Sequence, residues 1–291
     1  MATYDLHQHL WPEPFIERLR ARGRAPFLRD SVLTTLEGSF PVDLDAHRLE
    51  RRIADLDRAG IDVAVVSLQP TLGIEALSAS EREPLTATYN DGVAELVAAS
   101  GGRLRALAAD EIRPDFAGVC VGASRLLDPD RIAGILDELA AHSGFLFVHP
   151  DHSFPGPTRP HWWAAVVDYT ATMQAAYFAW IDEGAARWPD VPVVFALLAG
   201  GAPFQLERLG SRGAPIQQVT GLQTYFETSS YGRIALELCL ATFGVDRLVF
   251  GSDLPVLNPT PTMSAVQALG KAASHAICER NPESLLVPAL V

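Results

Sequence analysis

The sequence predicts a single (β/α)8 barrel spanning residues 1–291, and three observations point to it. Eight short apolar runs recur along the chain, each followed by a helical segment or turn. Most of the runs are continuously apolar rather than alternating, as parallel strands covered on both faces require. The residues able to do chemistry collect just after the runs, on the face where this fold builds its sites.

The predicted strands are TYDLH (3–7), DVAVVSL (62–68), RLRALAA (103–109), AGVCVGA (117–123), GFLFVH (144–149), PVVFALL (192–198), QTYFETS (223–229) and DRLVFGS (246–252). After the first comes a long excursion, residues 10–42, expected to fold over the mouth as a lid or side wall. A helix over 43–59 ends at Gly60, a natural C′ glycine, and one over 84–100 opens with Pro84 in its first turn. Asp128 caps a helix over 129–142, with Pro129 in the first helical position. A long helix over 160–187 stops before Pro189. Its Val166, Met173, Tyr177 and Trp180 recur at helical spacing and are expected to face the barrel. Shorter helices are expected over 203–211, 231–243 and 262–274.

Composition narrows the function classes. With 48% hydrophobic and 20% charged residues the chain can bury a large core. Twenty-three basic residues stand against 35 acidic ones, a net charge of −12 with no basic run, which argues against nucleic acid and anionic membranes as partners. The stretch 162–181 is the most membrane-like, but Asp168, Gln174 and its threonines make it a buried amphipathic helix. Three scattered cysteines, Cys120, Cys239 and Cys278, fit reduced thiols, and no signal-peptide pattern opens the chain. A soluble cytoplasmic protein acting on a small molecule is expected.

The strand ends carry a metal-like set. In DLHQH, His7 and His9 are two apart, so on a strand both imidazoles face one point. The fifth strand ends in His149, held extended by Pro150, and the eighth leads to Asp253, which a closed barrel brings beside the first strand. Three imidazoles and a carboxylate suit a divalent metal, zinc first, with manganese or iron as alternatives. Such a metal lowers the pKa of a bound water toward about 7. Each residue also has a plain structural explanation, His149 as a hydrogen-bonded barrel histidine and Asp253 as a turn cap.

DLHQH, FVHP, VVFALLAGGAP and RLVFGSDLP resemble, in order and spacing, the amidohydrolase-related family and its aminocarboxymuconate-semialdehyde decarboxylase-like branch. DLDRAGIDVAVVS, YNDGVAELVAASGGRLRALAA and CERNPESLL extend the resemblance over nearly the whole chain. The resemblance implies a barrel, a metal held by His7, His9, His149 and Asp253, and a homodimer. One position departs. Where the family places a proton-accepting histidine after the sixth strand, this chain has Leu197, followed by Leu198-Ala199-Gly200-Gly201.

Leucine moves no proton, so another group must. Asp253 and His152 are the candidate catalytic groups, His152 being otherwise an exposed loop histidine. Gln69, Asp110 and Glu111 line the pocket or cap loops. Phe154, Trp162 and Trp163 form an apolar wall or belong to the core. Arg18, Arg20, Arg22 and Arg24 bind a carboxylate or make a solvated face. Gly200-Gly201 is a phosphate cradle or a tight turn. The expected activity is hydrolysis of a small ester, lactone or amide by metal-activated water. The alternatives are non-oxidative decarboxylation of an aromatic or unsaturated acid, and a catalytically silent binding barrel.

Overall fold

Hydrogen bonds between the first strand and the segment after the last close the eight parallel strands into a barrel. The computed structural model describes residues 2–142, 144–153, 159–214 and 223–286. Its strands are β1 (Tyr4–His9), β2 (Phe27–Arg29), β3 (Val32–Thr35), β4 (Gly38–Pro41), β5 (Val63–Ser67), β6 (Leu104–Ala109), β7 (Gly118–Gly122), β8 (Phe145–His149), β9 (Val193–Phe195), β10 (Thr224–Glu227) and β11 (Leu248–Val249). The barrel runs β1-β5-β6-β7-β8-β9-β10-β11, and each predicted run overlaps one of these strands, β1 extending two residues past its run to His9. Closure comes from Leu6 N–H to Phe250 O (2.9 Å), Asp253 N–H to His7 O (2.7 Å) and His9 N–H to Leu254 O (2.7 Å). All residues of β1, β7, β8, β9 and β10 are buried; β7 and β9 are apolar throughout, as strands covered on both faces require, whereas β1 buries Asp5, His7, Gln8 and His9 and β10 buries Thr224 and Glu227.

The helices fall between the strands, with three instructive differences. The helix expected from residue 84 begins at Ala79, behind Ser78, and Pro84 lies inside it. Ser78 Oγ donates to Glu81 Oε2 (3.2 Å) at the helix start, and Pro84, in the second turn, forfeits one backbone bond. The segment 262–274 is two helices, Pro259–Gln267 and Lys271–His275, parted at Gly270 with φ of 98°. Met173, Tyr177 and Trp180 are buried as expected, but Val166 is 58% exposed. A π turn over Ala164–Asp168 adds a residue to the local repeat and rotates residue 166 off the barrel-facing stripe. The three cysteines are buried and unpaired. Among the described residues, no helix is long and apolar enough to cross a membrane.

The excursion after β1 contains a helix, Glu13–Ala21, and an antiparallel sheet in the order β2-β3-β4. The helix buries Phe15, Ile16 and Leu19, with Phe15 edge-on to Tyr89 of the 79–99 helix. The turn between β3 and β4 carries Glu37 to the loop after β8. There Glu37 Oε1 accepts from Ser153 N–H (2.5 Å) and Oε2 accepts from the Tyr169 hydroxyl (2.5 Å).

Candidate metal centre and active site

His7 and His9 point the same way from β1, His149 closes β8, and Asp253 follows β11 in the left-handed backbone region with φ of 61°. One ligand atom from each of these four residues lies within 4.8 Å of the other three. The three imidazole centroids are 5.0 Å apart in every pairing. His7 Nε2 is 3.2 Å from His9 Nε2, and Asp253 Oδ1 is 3.1 Å from His9 Nε2 and 3.5 Å from His7 Nε2.

Each imidazole has its other nitrogen committed. His7 Nδ1–H donates to Glu227 Oε2 (2.9 Å), His9 Nδ1–H to Ser67 O (3.2 Å), and His149 Nδ1–H to Pro150 O (2.8 Å). These partners assign the tautomers and leave every Nε2 lone pair for a cation. Asp253 Oδ1 is buried and makes no hydrogen bond of acceptable geometry. Three convergent Nε2 atoms and an orphaned carboxylate oxygen fit a divalent metal.

The electrostatics reflect the crowding. Burial opposes charge on His7, but the Glu227 and Asp253 carboxylates outweigh it and hold its pKa up at about 9. Burial lowers the pKa of His9, and burial with the neighbouring imidazoles drives His149 well below the ordinary range. Burial alone would raise Asp253, yet His7 and then the other two imidazoles bring it below the usual carboxylate value.

Leu197 sits next to this cluster through the backbone. Its N–H donates to Glu227 Oε2 (3.3 Å), the same oxygen that takes the His7 proton. From there five residues run left-handed, Leu197, Leu198, Ala199, Gly200 and Gly201, with φ of 54°, 48°, 52°, 63° and 85°. Left-handed backbone costs about 1–2 kcal/mol for each non-glycine residue, so surrounding contacts must hold the turn. Gln174 Nε2–H donates to Gly200 O (2.5 Å), and a Cβ at Gly200 would lie 2.3 Å from Thr170 O. The glycine pair thus serves a tight strand-to-helix turn.

The remaining candidates separate. His152 is half-buried rather than exposed, packed beside Gly73 on the loop after β8. Gln69 accepts from Trp11 Nε1–H, Asp110 pairs with Arg82 and Arg125, and Glu111 accepts from Asn90 and Arg113. These are structural roles. Arg20 pairs with Glu13 and Glu17 and Arg24 faces Glu81, in keeping with the solvated-face alternative, whereas Arg22 is largely buried and spans Glu81 and the Ala25 and Pro26 carbonyls. Trp162 is exposed and Trp163 half-buried, its Nε1–H on Asp168 (3.2 Å); Phe154 lies outside the described residues. Sequence reasoning missed Glu227 and Ser229. Their signal was the polar ETSS ending of an otherwise apolar strand.

An amidohydrolase family profile matches residues 4–286. A search of curated proteins returns no match. Among solved structures, IDCase of Metarhizium anisopliae is similar at a TM-score of 0.82 and 22% identity, covering 98% of this chain and 97% of that one. The 5-carboxyvanillate decarboxylase of Sphingomonas paucimobilis is similar at 0.72 and 17%, covering 98% of each chain. A dihydroxybenzoic acid decarboxylase of Polaromonas, solved with manganese and the inhibitor 2-nitroresorcinol, is similar at 0.76 and 17%, covering 98% of this chain and 96% of that one. At these identities the structures speak for the fold, and the profile speaks for the lineage. This chain belongs to the amidohydrolase family.

Proposed function

We propose that the chain is a metal-dependent decarboxylase of a small aromatic or unsaturated carboxylic acid. The observation that carries this reading is Leu197, which replaces the imidazole expected to take a proton from water. Asp253, the other candidate acceptor, is turned into the histidine cluster, its Oδ1 3.1 Å from His9 Nε2. Hydrolysis of an ester, lactone or amide, the first expectation from the sequence, depends on such a base. Decarboxylation needs none, and decarboxylases among the similar structures support it.

In this reading His7, His9, His149 and Asp253 hold one divalent cation. Zinc suits the donor set, and manganese occupies the Polaromonas enzyme. A cation held there would supply Lewis acidity for a substrate carboxylate. Leu197, buried among apolar side chains, offers no hydrogen bond to water, and a drier surrounding favours conversion of the charged carboxylate into neutral carbon dioxide. The carbon–carbon bond breaks, carbon dioxide departs, and the electron pair stays on the unsaturated carbon. His152, on the loop after β8, is assigned to deliver a proton to that carbon and to recover one from solvent. Glu37, bridging Ser153 and Tyr169, holds the β2–β4 sheet as a side wall of the mouth.

Carbon dioxide release from a panel of aromatic and unsaturated acids, with zinc or manganese supplied, tests the reading. Incorporation of labelled water into lactone, ester or anilide products would replace it with hydrolysis. Metal binding with neither reaction would favour the silent barrel.

A further inference from the structure

Strand β10 buries all four of its residues and ends on Glu227, whose side chain is fully enclosed. A buried carboxylate is tolerated only when its oxygens are satisfied. Here four donors converge. Oε2 accepts from His7 Nδ1–H (2.9 Å), Leu197 N–H (3.3 Å) and the Ser229 hydroxyl (2.8 Å), and Oε1 accepts from Ser229 N–H (2.5 Å). Every partner donates, which suits an acceptor-only, ionised carboxylate. Space is reserved as well: a Cβ at Gly251 would lie 2.2 Å from Glu227 Oε1.

Among the described residues no arginine or lysine pairs with Glu227; its one ionic partner is the His7 ring. The negative charge therefore faces one edge of an imidazole whose other edge faces Asp253 and His9. A cation at that far edge balances both carboxylates through the ring.

We propose that Glu227 is a positioning residue for the metal centre, fixing His7 so that Nε2 is presented to the cation. The same oxygen anchors Leu197, so ligand orientation and the start of the left-handed turn depend on one carboxylate. The inference rests on the metal-enzyme reading above. It adds a residue that neither the ligand pattern nor the strand-6 motif includes.

The test is titration of the metal-stripped full chain with Co²⁺ against a competing chelator, recording the visible absorption of the bound ion. Glu227→Gln places an amide donor among four donors and removes the charge. It should bind Co²⁺ about 10–100-fold more weakly and with an altered spectrum. Ser229→Ala keeps the carboxylate but frees one of its restraints, and should weaken binding by a smaller factor. A merely structural Glu227 would lower the melting temperature while the folded protein kept wild-type affinity and spectrum. That result overturns the inference. If Glu227→Gln fails to fold, Ser229→Ala decides alone, with unchanged affinity and spectrum counting against. A wild-type chain that binds no Co²⁺ overturns the metal reading and this inference together, whereas wild-type binding with unaffected variants overturns the inference only.

Discussion

Gly122 and His149 are partners in the parallel register of β7 and β8, so the candidate ligand stands beside a position with no side chain. The space over Gly122 is taken by two acids. A Cβ there would lie 2.6 Å from both Asp151 Oδ1 and Glu75 Oε2. Gly122 N–H also donates to Glu75 Oε1 (3.0 Å). Burial, only partly countered by Arg125, pushes the Glu75 pKa up to about 7. Gly122→Ala must displace carboxylates packed against the mouth loop, and it should cost about 1–3 kcal/mol in urea denaturation. Wild-type stability in this variant would mean that the acids move aside freely.

His7→Ala and His9→Ala should bring metal content close to zero while leaving the barrel folded. Residues at this end of barrel strands serve function, whereas the core lies deeper. Elemental analysis beside thermal melts separates the two effects. A full metal load in either variant would refute the ligand assignment.

Leu197→His should lower decarboxylation. An imidazole beside the Glu227–His7 pair would crowd the substrate or recruit the metal. Turnover of the acid panel by wild type and variant is the measurement. A positioned base contributes about 10²–10⁴-fold, so a gain of that order in hydrolysis would identify the wild-type chain as an impaired hydrolase.

His47 supplies a pH prediction. It is buried, stacks on Trp11 at 4.4 Å between centroids, and accepts from Trp11 N–H (3.1 Å) through Nδ1. Burial, with the nearby Arg52 charge, lowers its pKa to about 3. The folded protein therefore prefers the neutral ring, and the unfolded chain takes the proton first. Stability is full above about pH 6.5, the unfolded value, and falls as pH drops toward 3, by about 1.4 kcal/mol per unit at most. His47→Gln should flatten that slope in melts between pH 4 and 7. An unchanged slope would assign the acid sensitivity elsewhere.

The strands were legible because most are continuous apolar runs, and the candidate ligands because His7, His9, His149 and Asp253 sit at their ends. What escaped detection depends on contacts between distant residues or on small departures from a regular repeat. Glu227 meets His7 across 220 residues, a pairing visible only after the barrel closes. The β2–β4 sheet has strands of three or four residues with no clear alternation of apolar and polar positions. Val166 was misplaced because one π turn shifts the helical phase, and the 79–99 helix because Pro84 was read as its start rather than Ser78.

The left-handed run from Leu197 to Gly201 also sets terms for redesigning this barrel. Positive φ shuts out β-branched side chains and is most congenial to glycine, asparagine, aspartate and histidine. A library at position 197 is thus filtered by backbone handedness before chemistry, and short polar residues pass that filter more easily than the leucine present. The local conformation does not favour leucine, so its value to the protein must lie in what its side chain does. Variants that relieve the backbone at this point can gain stability and lose function together.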